Sequence, residues 1–154
     1  MTIEVGQEAP DFELPDQKRE KVKLSSFRGD KNVVVVFYPF TFTGVCTGEL
    51  CEIRDDLAAY ERSGAQVLAI SCDSPFAQAK FAEDQGYTFP LLSDFWPHGE
   101  VSRAYGVFNE AIGAAMRGTF VIDKEGKISS TFASADLGTP RAKALYEEAL
   151  SKLS

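Results

Sequence analysis

Val33-Val34-Val35-Val36-Phe37-Tyr38 runs directly into Pro39-Phe40-Thr41-Phe42-Thr43-Gly44-Val45-Cys46. The first six residues are a continuous apolar, mostly β-branched run, the pattern of a strand buried on both faces. From Cys46 to about Arg62 the sequence reads as a helix. Leu50, Ile53, Leu57 and Tyr60 recur at helical spacing, and Ser63-Gly64 ends the run. A cysteine thus stands where a buried strand gives way to a helix. A helix N-terminus offers unpaired backbone N–H groups and roughly half a unit of positive charge. A thiol placed there ionises more readily, and the thiolate is the reactive species. Cys46 is therefore a candidate activated cysteine rather than a structural one.

Working outward, Pro10–Leu14 and Val22–Phe27 flank the polar turn 16–20 and predict an N-terminal hairpin. Gln66–Cys72 predicts a second buried strand. Ser74 before Pro75 predicts a helix start, with serine as the cap and proline at the first position, running to Gln85-Gly86. Phe89–Leu92 is a short apolar segment, and His98–Tyr105 reads as a helix stopped by Gly106. Thr119–Asp123 and Lys127–Phe132 flank Lys124-Glu125-Gly126 as an antiparallel hairpin. Residues 140–153 close the chain with an amphipathic helix carrying Ala144, Leu145, Ala149, Leu150 and Leu153. Strands alternating with helices, then a hairpin and a terminal helix, predict an α/β domain. Its central mixed sheet is flanked by helices, with the hairpin as an N-terminal extension. Function in such a sheet sits at the carboxyl ends of the parallel strands, where Cys46 falls.

A chain of 154 residues predicts one domain, residues 1–154, long enough for a sizeable core. Hydrophobic residues make up 44% and charged residues 25%, as in an ordinary globular protein, and the net charge of −7 argues against a nucleic-acid surface or an anionic membrane. No apolar run approaches the roughly 20 residues of a membrane span, and the N-terminus lacks a signal core, which predicts a cytoplasmic protein. Three cysteines do not make a disulfide framework, and with one histidine their spacing matches no zinc pattern. No flavin, nucleotide or other cofactor motif is present, and the glycine-rich stretches lack the phosphate-loop pattern.

Pro39, Thr43 and Cys46 together form Pro-x-x-x-Thr-x-x-Cys, which resembles the motif of the peroxiredoxins. Arg117, in Arg117-Gly118-Thr119-Phe120, stands just before the late hairpin, where that family keeps an active-site arginine. The likeness runs from Gly6-x-x-Ala9-Pro10-Asp11-Phe12 to the last helix. The stretches Phe89–Gly99 and Ala104–Glu110 look like the actinobacterial AhpE subgroup. The resemblance implies a thioredoxin-like fold with an N-terminal extension. It also implies thiol-dependent reduction of hydrogen peroxide and organic hydroperoxides through a sulfenic acid on Cys46.

Thiol chemistry explains why Cys46 would need help. A thiol of pKa about 8.5 is only a few per cent ionised at pH 7. Lowering it to about 6 raises the thiolate fraction roughly 30-fold. At a Brønsted slope of about 0.45 the same change removes roughly 13-fold of nucleophilicity. The net gain is about two- to threefold, so groups that stabilise charge on the departing oxygen are required. The resemblance gives Thr43 hydrogen bonds to peroxide and thiolate, and Arg117 the roles of lowering the Cys46 pKa and aligning the peroxide. Pro39 would shield the sulfur, and the Cys46 backbone N–H would complete the pocket. Glu49, one turn beyond Cys46, would orient Arg117.

Cys51 departs from the one-cysteine AhpE pattern and stands where proteins of the Prx Q (bacterioferritin comigratory protein) type carry a resolving cysteine. Five residues of α-helix rise about 7.5 Å and turn roughly 140°. Disulfide-bonded Cα atoms lie within about 7 Å with converging side chains. A Cys46–Cys51 bridge therefore requires the first turns to unwind, which Gly48 makes easier by up to about 1 kcal/mol relative to alanine. The alternative is a one-cysteine cycle in which Cys51 is a buried contact. The expected partners are a hydroperoxide, a thioredoxin-like or mycoredoxin-like reductant and a second copy in a homodimer or higher oligomer. A redox-sensor or holdase role stays open. A thiol–disulfide oxidoreductase is disfavoured by the lack of Cys-x-x-Cys. Cys72 reads as inert core, and Trp96 and His98 as packing or dimer-contact residues.

Overall fold

Alternation along the central strand divides the molecule into layers. Val33, Val35 and Phe37 pack on one side of β3 (Asn32–Phe37), and Val34, Val36 and Tyr38 on the other. All of β3 is buried, as its unbroken apolar run requires. The computed structural model describes residues 3–134 and 136–153, and the side chain of Cys46 lies outside that description.

The chain opens with the antiparallel pair β1 (Glu13–Pro15) and β2 (Lys21–Lys23), followed by a short 3-10 helix at Leu24–Phe27. After β3 come α1 (Gly44–Asp55), α2 (Leu57–Arg62), β4 (Ala65–Ser71), α3 (Pro75–Gln85), β5 (Leu91–Ser93) and α4 (Glu100–Ala104). A small antiparallel pair, β6 (Phe108–Asn109) and β7 (Ala114–Ala115), precedes β8 (Gly118–Ile122), β9 (Ile128–Ala133) and α5 (Lys143–Ser151). The main sheet has the order β5-β4-β3-β8-β9. β3 and β4 run parallel, as do β4 and β5, while β8 is antiparallel to both β3 and β9. The mixed sheet, the flanking helices and the N-terminal hairpin match the sequence reading.

Leu50, Ile53, Tyr60, Phe81, Tyr146 and Leu150 from α1, α2, α3 and α5 cover one face. Phe12, Leu14 and Leu24 from the N-terminal segment, with Val101 and Tyr105 of α4, cover the other. Each large apolar side chain buried this way stabilises the fold by roughly 1.5–3 kcal/mol. Ser74 caps α3 by accepting from the Ala77 N–H at 3.2 Å, and Gly86 ends it in the left-handed conformation at φ 71°.

Several elements differ from the sequence reading. The strand expected over Val22–Phe27 ends at Lys23 and passes into the 3-10 helix, and the terminal helix expected over 140–153 runs Lys143–Ser151. The helix expected over 46–62 begins at Gly44 and breaks at Asp56, whose φ of −107° and ψ of 16° are not helical. Both pieces bury the same face, so apolar spacing continues through the break. The helix expected from His98 starts at Glu100, because the buried Asp94 carboxylate accepts from the Val101 and Ser102 N–H groups and fixes the first turn there. The β6–β7 pair has two residues per strand, too few to show a period of two.

Topology brings the site together. The carboxyl ends of β3, β4 and β5 share one edge of the sheet. Because β8 runs against β3, with Thr119 opposite Val36, the start of β8 lies at that edge as well. Arg117 immediately precedes β8.

Candidate active site

Six residues, 38–43, connect β3 to α1. Pro39 is buried at the strand end. The Thr41 N–H donates to Asp73 Oδ2 at 2.9 Å, tying the loop to the chain just beyond β4. Phe42 adopts φ 66°, a conformation that a bulky side chain rarely takes, and its ring packs 5.3 Å from that of Phe81. Thr43 is the extended N-cap residue of α1, but its hydroxyl caps no backbone N–H. It turns back and donates to the Phe40 carbonyl at 2.9 Å. A hydroxyl has one proton and two lone pairs, so with that proton committed Thr43 faces solvent as an acceptor. Its own carbonyl accepts the Thr47 N–H at 2.9 Å and the Thr47 hydroxyl at 2.8 Å.

Cys46 is the third residue of α1 rather than its boundary. Its backbone still belongs to the first turn, where N–H groups lack intrahelical partners.

Glu49, one turn further along α1, is 3% exposed, and Arg117 and Arg141 are each 2% exposed. Arg117 Nη1 donates to Glu49 Oε1 at 3.1 Å, and Arg117 Nε donates to the Leu137 carbonyl at 2.9 Å. Arg141 grips the same carboxylate through Nε to Oε2 and Nη2 to Oε1, both at 2.7 Å, and through its backbone N–H at 3.0 Å. The Tyr146 hydroxyl adds a bond to Oε2 at 3.2 Å, and Thr119 Oγ1 accepts Arg141 Nη1 at 3.1 Å. Burial alone would push the Glu49 carboxyl up. The hydrogen bonds and charge of Arg141, with the charge of Arg117, outweigh it and hold the carboxyl below its ordinary value. Two guanidinium groups on one carboxylate give these groups a net charge of +1. Positions 46 and 49 are one helical turn apart on α1.

The structure thus brings Glu49 and Arg117 together, as the sequence suggested. Arg141, Tyr146, Thr119 and Asp73 were missed. No spacing signal connects Arg141 to Glu49 across 92 residues. Asp73 could have been suspected only as a polar residue ending an apolar strand.

Cys51 lies on the same unbroken helix as Cys46 and is partly buried. Its Sγ lies 3.5 Å from Gln85 Oε1 and 3.4 Å from the Tyr87 hydroxyl. Ideal helix geometry puts the Cα atoms of residues 46 and 51 about 8.7 Å apart, beyond disulfide reach. Cys72 is buried, with Ser102 Oγ at 3.9 Å, and burial and the Asp94 charge push its thiol up to about 11. Trp96 is 80% exposed rather than packed, and the His98 ring nitrogens face the Phe95 and Gly113 carbonyls.

The sequence pattern of the AhpC/TSA family matches residues 5–131. Alkyl hydroperoxide reductase E of Mycobacterium tuberculosis is 50% identical over 153 residues, which cover 99% of either chain. Peroxiredoxin Bcp of Escherichia coli is 38% identical over 136 residues, 84% of this chain and 85% of its own. Among solved structures, peroxidoxin BcpB from Mycobacterium tuberculosis superposes with a TM-score of 0.86 at 35% identity, covering 97% of this chain and 96% of that one. AhpC of Enterococcus faecalis superposes with a TM-score of 0.87 at 30% identity, covering 98% and 92%. These peroxiredoxin relatives, matched over most of the chain, place it among the thiol-dependent peroxidases. The chain belongs to the AhpC/TSA family, as a peroxiredoxin of the AhpE/Bcp type.

Proposed function

We propose that Cys46 is the peroxidatic residue of a peroxidase acting on hydrogen peroxide and organic hydroperoxides. The Cys46 thiolate attacks one peroxide oxygen and the O–O bond breaks. The sulfur is oxidised to a sulfenic acid, and the departing oxygen takes a proton to leave as water or an alcohol. Thr43, whose own proton is committed to the Phe40 carbonyl, accepts the peroxide O–H and holds it in line. Arg117 stabilises the thiolate and the charge that builds on the departing oxygen. Glu49 fixes the Arg117 fork, and Pro39 walls the pocket. The observation that carries this reading is the buried double-guanidinium grip on Glu49, one turn from position 46, because it supplies a rigid positive charge where the chemistry needs it. The names of the relatives at 50% identity make alkyl hydroperoxides the first substrates to try.

Cys51 then resolves the sulfenic acid as a Cys46–Cys51 disulfide, which a thioredoxin-like protein reduces. The site operates within one domain, residues 1–154, in a homodimer or higher oligomer. A one-cysteine cycle, reduced by an external thiol or a mycoredoxin-like protein, is favoured by one observation: Cys51 is held inside an intact α1, against Gln85 and Tyr87.

Intact mass after one equivalent of hydrogen peroxide tests both steps. A loss of about two mass units, mapped to Cys46 and Cys51, is the expected result. A stable gain of about 16 units on Cys46 supports the one-cysteine cycle. Peroxide consumption that survives in Cys46→Ser would overturn the reading.

A further inference from the structure

The Tyr87 hydroxyl touches both ends of the helical segment between the two cysteines. It donates to the Thr47 carbonyl at 3.2 Å and lies 3.4 Å from Cys51 Sγ. In a regular α-helix the Thr47 carbonyl is the acceptor for the Cys51 N–H. Tyr87 therefore adds a second donor to the very carbonyl whose release begins the unwinding of residues 47–51.

Tyr87 is itself rigidly mounted. It is 5% exposed, its ring stacks on Phe89 at 5.2 Å, and Phe81 meets it edge-on at the same distance. Gly86, in the left-handed conformation, turns the chain so that Gln85 and Tyr87 both face α1, and Arg54 binds the Gln85 carbonyl from the α1 side. Burial, with the neighbouring Cys51, pushes the phenol pKa up, so the hydroxyl keeps its proton and remains a donor at working pH.

We propose that Tyr87 is a positioning residue that latches the 47–51 turn of α1 and so sets how fast an oxidised Cys46 is resolved. The proposal rests on the reading of Cys51 as the resolving residue. In that step the Cys51 thiolate sulfur attacks the sulfenic sulfur, the S–OH bond breaks, and hydroxide leaves as water with the proton given up by Cys51. The sulfenic sulfur is reduced and the thiolate sulfur oxidised to the disulfide level. The attack waits on unwinding, and the waiting sulfenic acid can meet a second peroxide and become a sulfinic acid. A latch on the turn shifts that partition toward overoxidation.

Tyr87→Phe removes the donor and keeps the ring. One net hydrogen bond corresponds to roughly a fivefold change. Two readings are taken on the reduced parent and variant. The first is the rate of Cys46–Cys51 disulfide formation after a stoichiometric peroxide pulse, with the peroxide concentration that gives half sulfinic acid. The second is hydrogen exchange of the amides of residues 47–52 without peroxide. The expected result is roughly fivefold faster disulfide formation, roughly fivefold more peroxide for half overoxidation, and roughly fivefold faster exchange. Unchanged or slower disulfide formation in the variant overturns the proposal even if its melting temperature falls, because a merely structural tyrosine would lower stability without moving the partition. If the parent forms no Cys46–Cys51 disulfide, the two-cysteine reading fails and its consequence here fails with it. Exchange then reports on the latch alone, and equal rates overturn that too.

Discussion

Replacing Glu49 by glutamine removes one negative charge from between two buried guanidinium groups. The parent carboxylate accepts from Arg117 Nη1, from three nitrogens of Arg141 and from the Tyr146 hydroxyl. Glutamine offers one acceptor oxygen and turns an NH2 group toward nitrogens that can only donate. Removing one partner of a buried ion pair typically costs about 3–5 kcal/mol, because the surviving charges stay buried without compensation. For a chain of this length that is a fall in melting temperature of about 6–20 °C. The pH dependence gives a sharper test. The folded-state pKa of Glu49 lies below its ordinary value of 4.5, so the stability it contributes is fully present above that value. It is lost as pH falls from 4.5 through the depressed folded pKa. The gap between parent and Glu49→Gln should therefore be full at pH 7 and shrink steadily below pH 4.5. Urea unfolding followed by far-UV circular dichroism measures it at both ends. The single tryptophan, Trp96, is 80% exposed and makes a poor reporter of core unfolding. A gap under about 0.5 kcal/mol at pH 7, or one unchanged from pH 7 to pH 3, would refute the account of the cluster.

Thr43→Val should lower the second-order rate constant with peroxide roughly fivefold, the scale of one net hydrogen bond that accepts and aligns the peroxide O–H. Stopped-flow kinetics reads it, and stability should change by no more than about 1 kcal/mol, since the hydroxyl caps no helical N–H. With its thiol raised to about 11 and its side chain buried, Cys72 should resist iodoacetamide in the native protein below pH 9. Peptide mapping should find it alkylated only after denaturation. Gly86→Ala should cost about 1 kcal/mol in chemical denaturation: φ is 71° and an added Cβ would meet nothing within 4 Å, so the loss is purely one of backbone conformation.

Legibility followed the range of the signal. Val33–Tyr38 was readable because a strand buried on both faces writes itself as an unbroken apolar run. Ser74-Pro75 and Gln85-Gly86 were readable because caps are local chemistry, with the serine hydroxyl on the Ala77 N–H and the glycine at positive φ. The break at Asp56 was not, because Leu57 and Tyr60 pack on the same core as Leu50 and Ile53, and spacing reports faces rather than backbone hydrogen bonds. The site divides the same way. Pro39, Thr43 and Cys46 sit within eight residues, and Glu49 follows at a helical interval, so motif and period find them. Arg141 reaches Glu49 across 92 residues, and Asp73 reaches Thr41 across 32, through contacts that exist only once the sheet has formed. Thr43 shows a subtler limit. The motif found the residue, yet the direction of its hydroxyl was not readable, because it turns back to the Phe40 carbonyl instead of capping a helix N–H.

The thiol arithmetic gives the buried charges their meaning. Ionising the cysteine more fully gains only about two- to threefold at neutral pH, since a less basic thiolate is also a weaker nucleophile. A peroxidase must therefore act on the departing oxygen, and in the proposed cycle the groups that do so are already rigid. Arg117 is fixed from two sides, by Glu49 and by the Leu137 carbonyl, and Glu49 is fixed by Arg141. Burying three charges opposes folding, and an apolar replacement of the set would be neutral or stabilising. The same burial keeps water from screening the guanidinium charge and spares the site any reorganisation as the O–O bond breaks. The helix that holds Cys46 faces the opposite demand. In the proposed two-cysteine cycle it is ordered while peroxide is attacked and opens for Cys51 to reach the oxidised sulfur. Its ties differ along its length: α1 is held at Glu49 by charge-assisted bonds from two arginines and at Arg54 by a charge-assisted bond to the Gln85 carbonyl, but at Thr47 by a neutral hydrogen bond from Tyr87. Charge-assisted bonds are roughly twice as strong as neutral ones, so opening should begin at the Thr47 turn and leave the arginine ties at Glu49 and Arg54 standing.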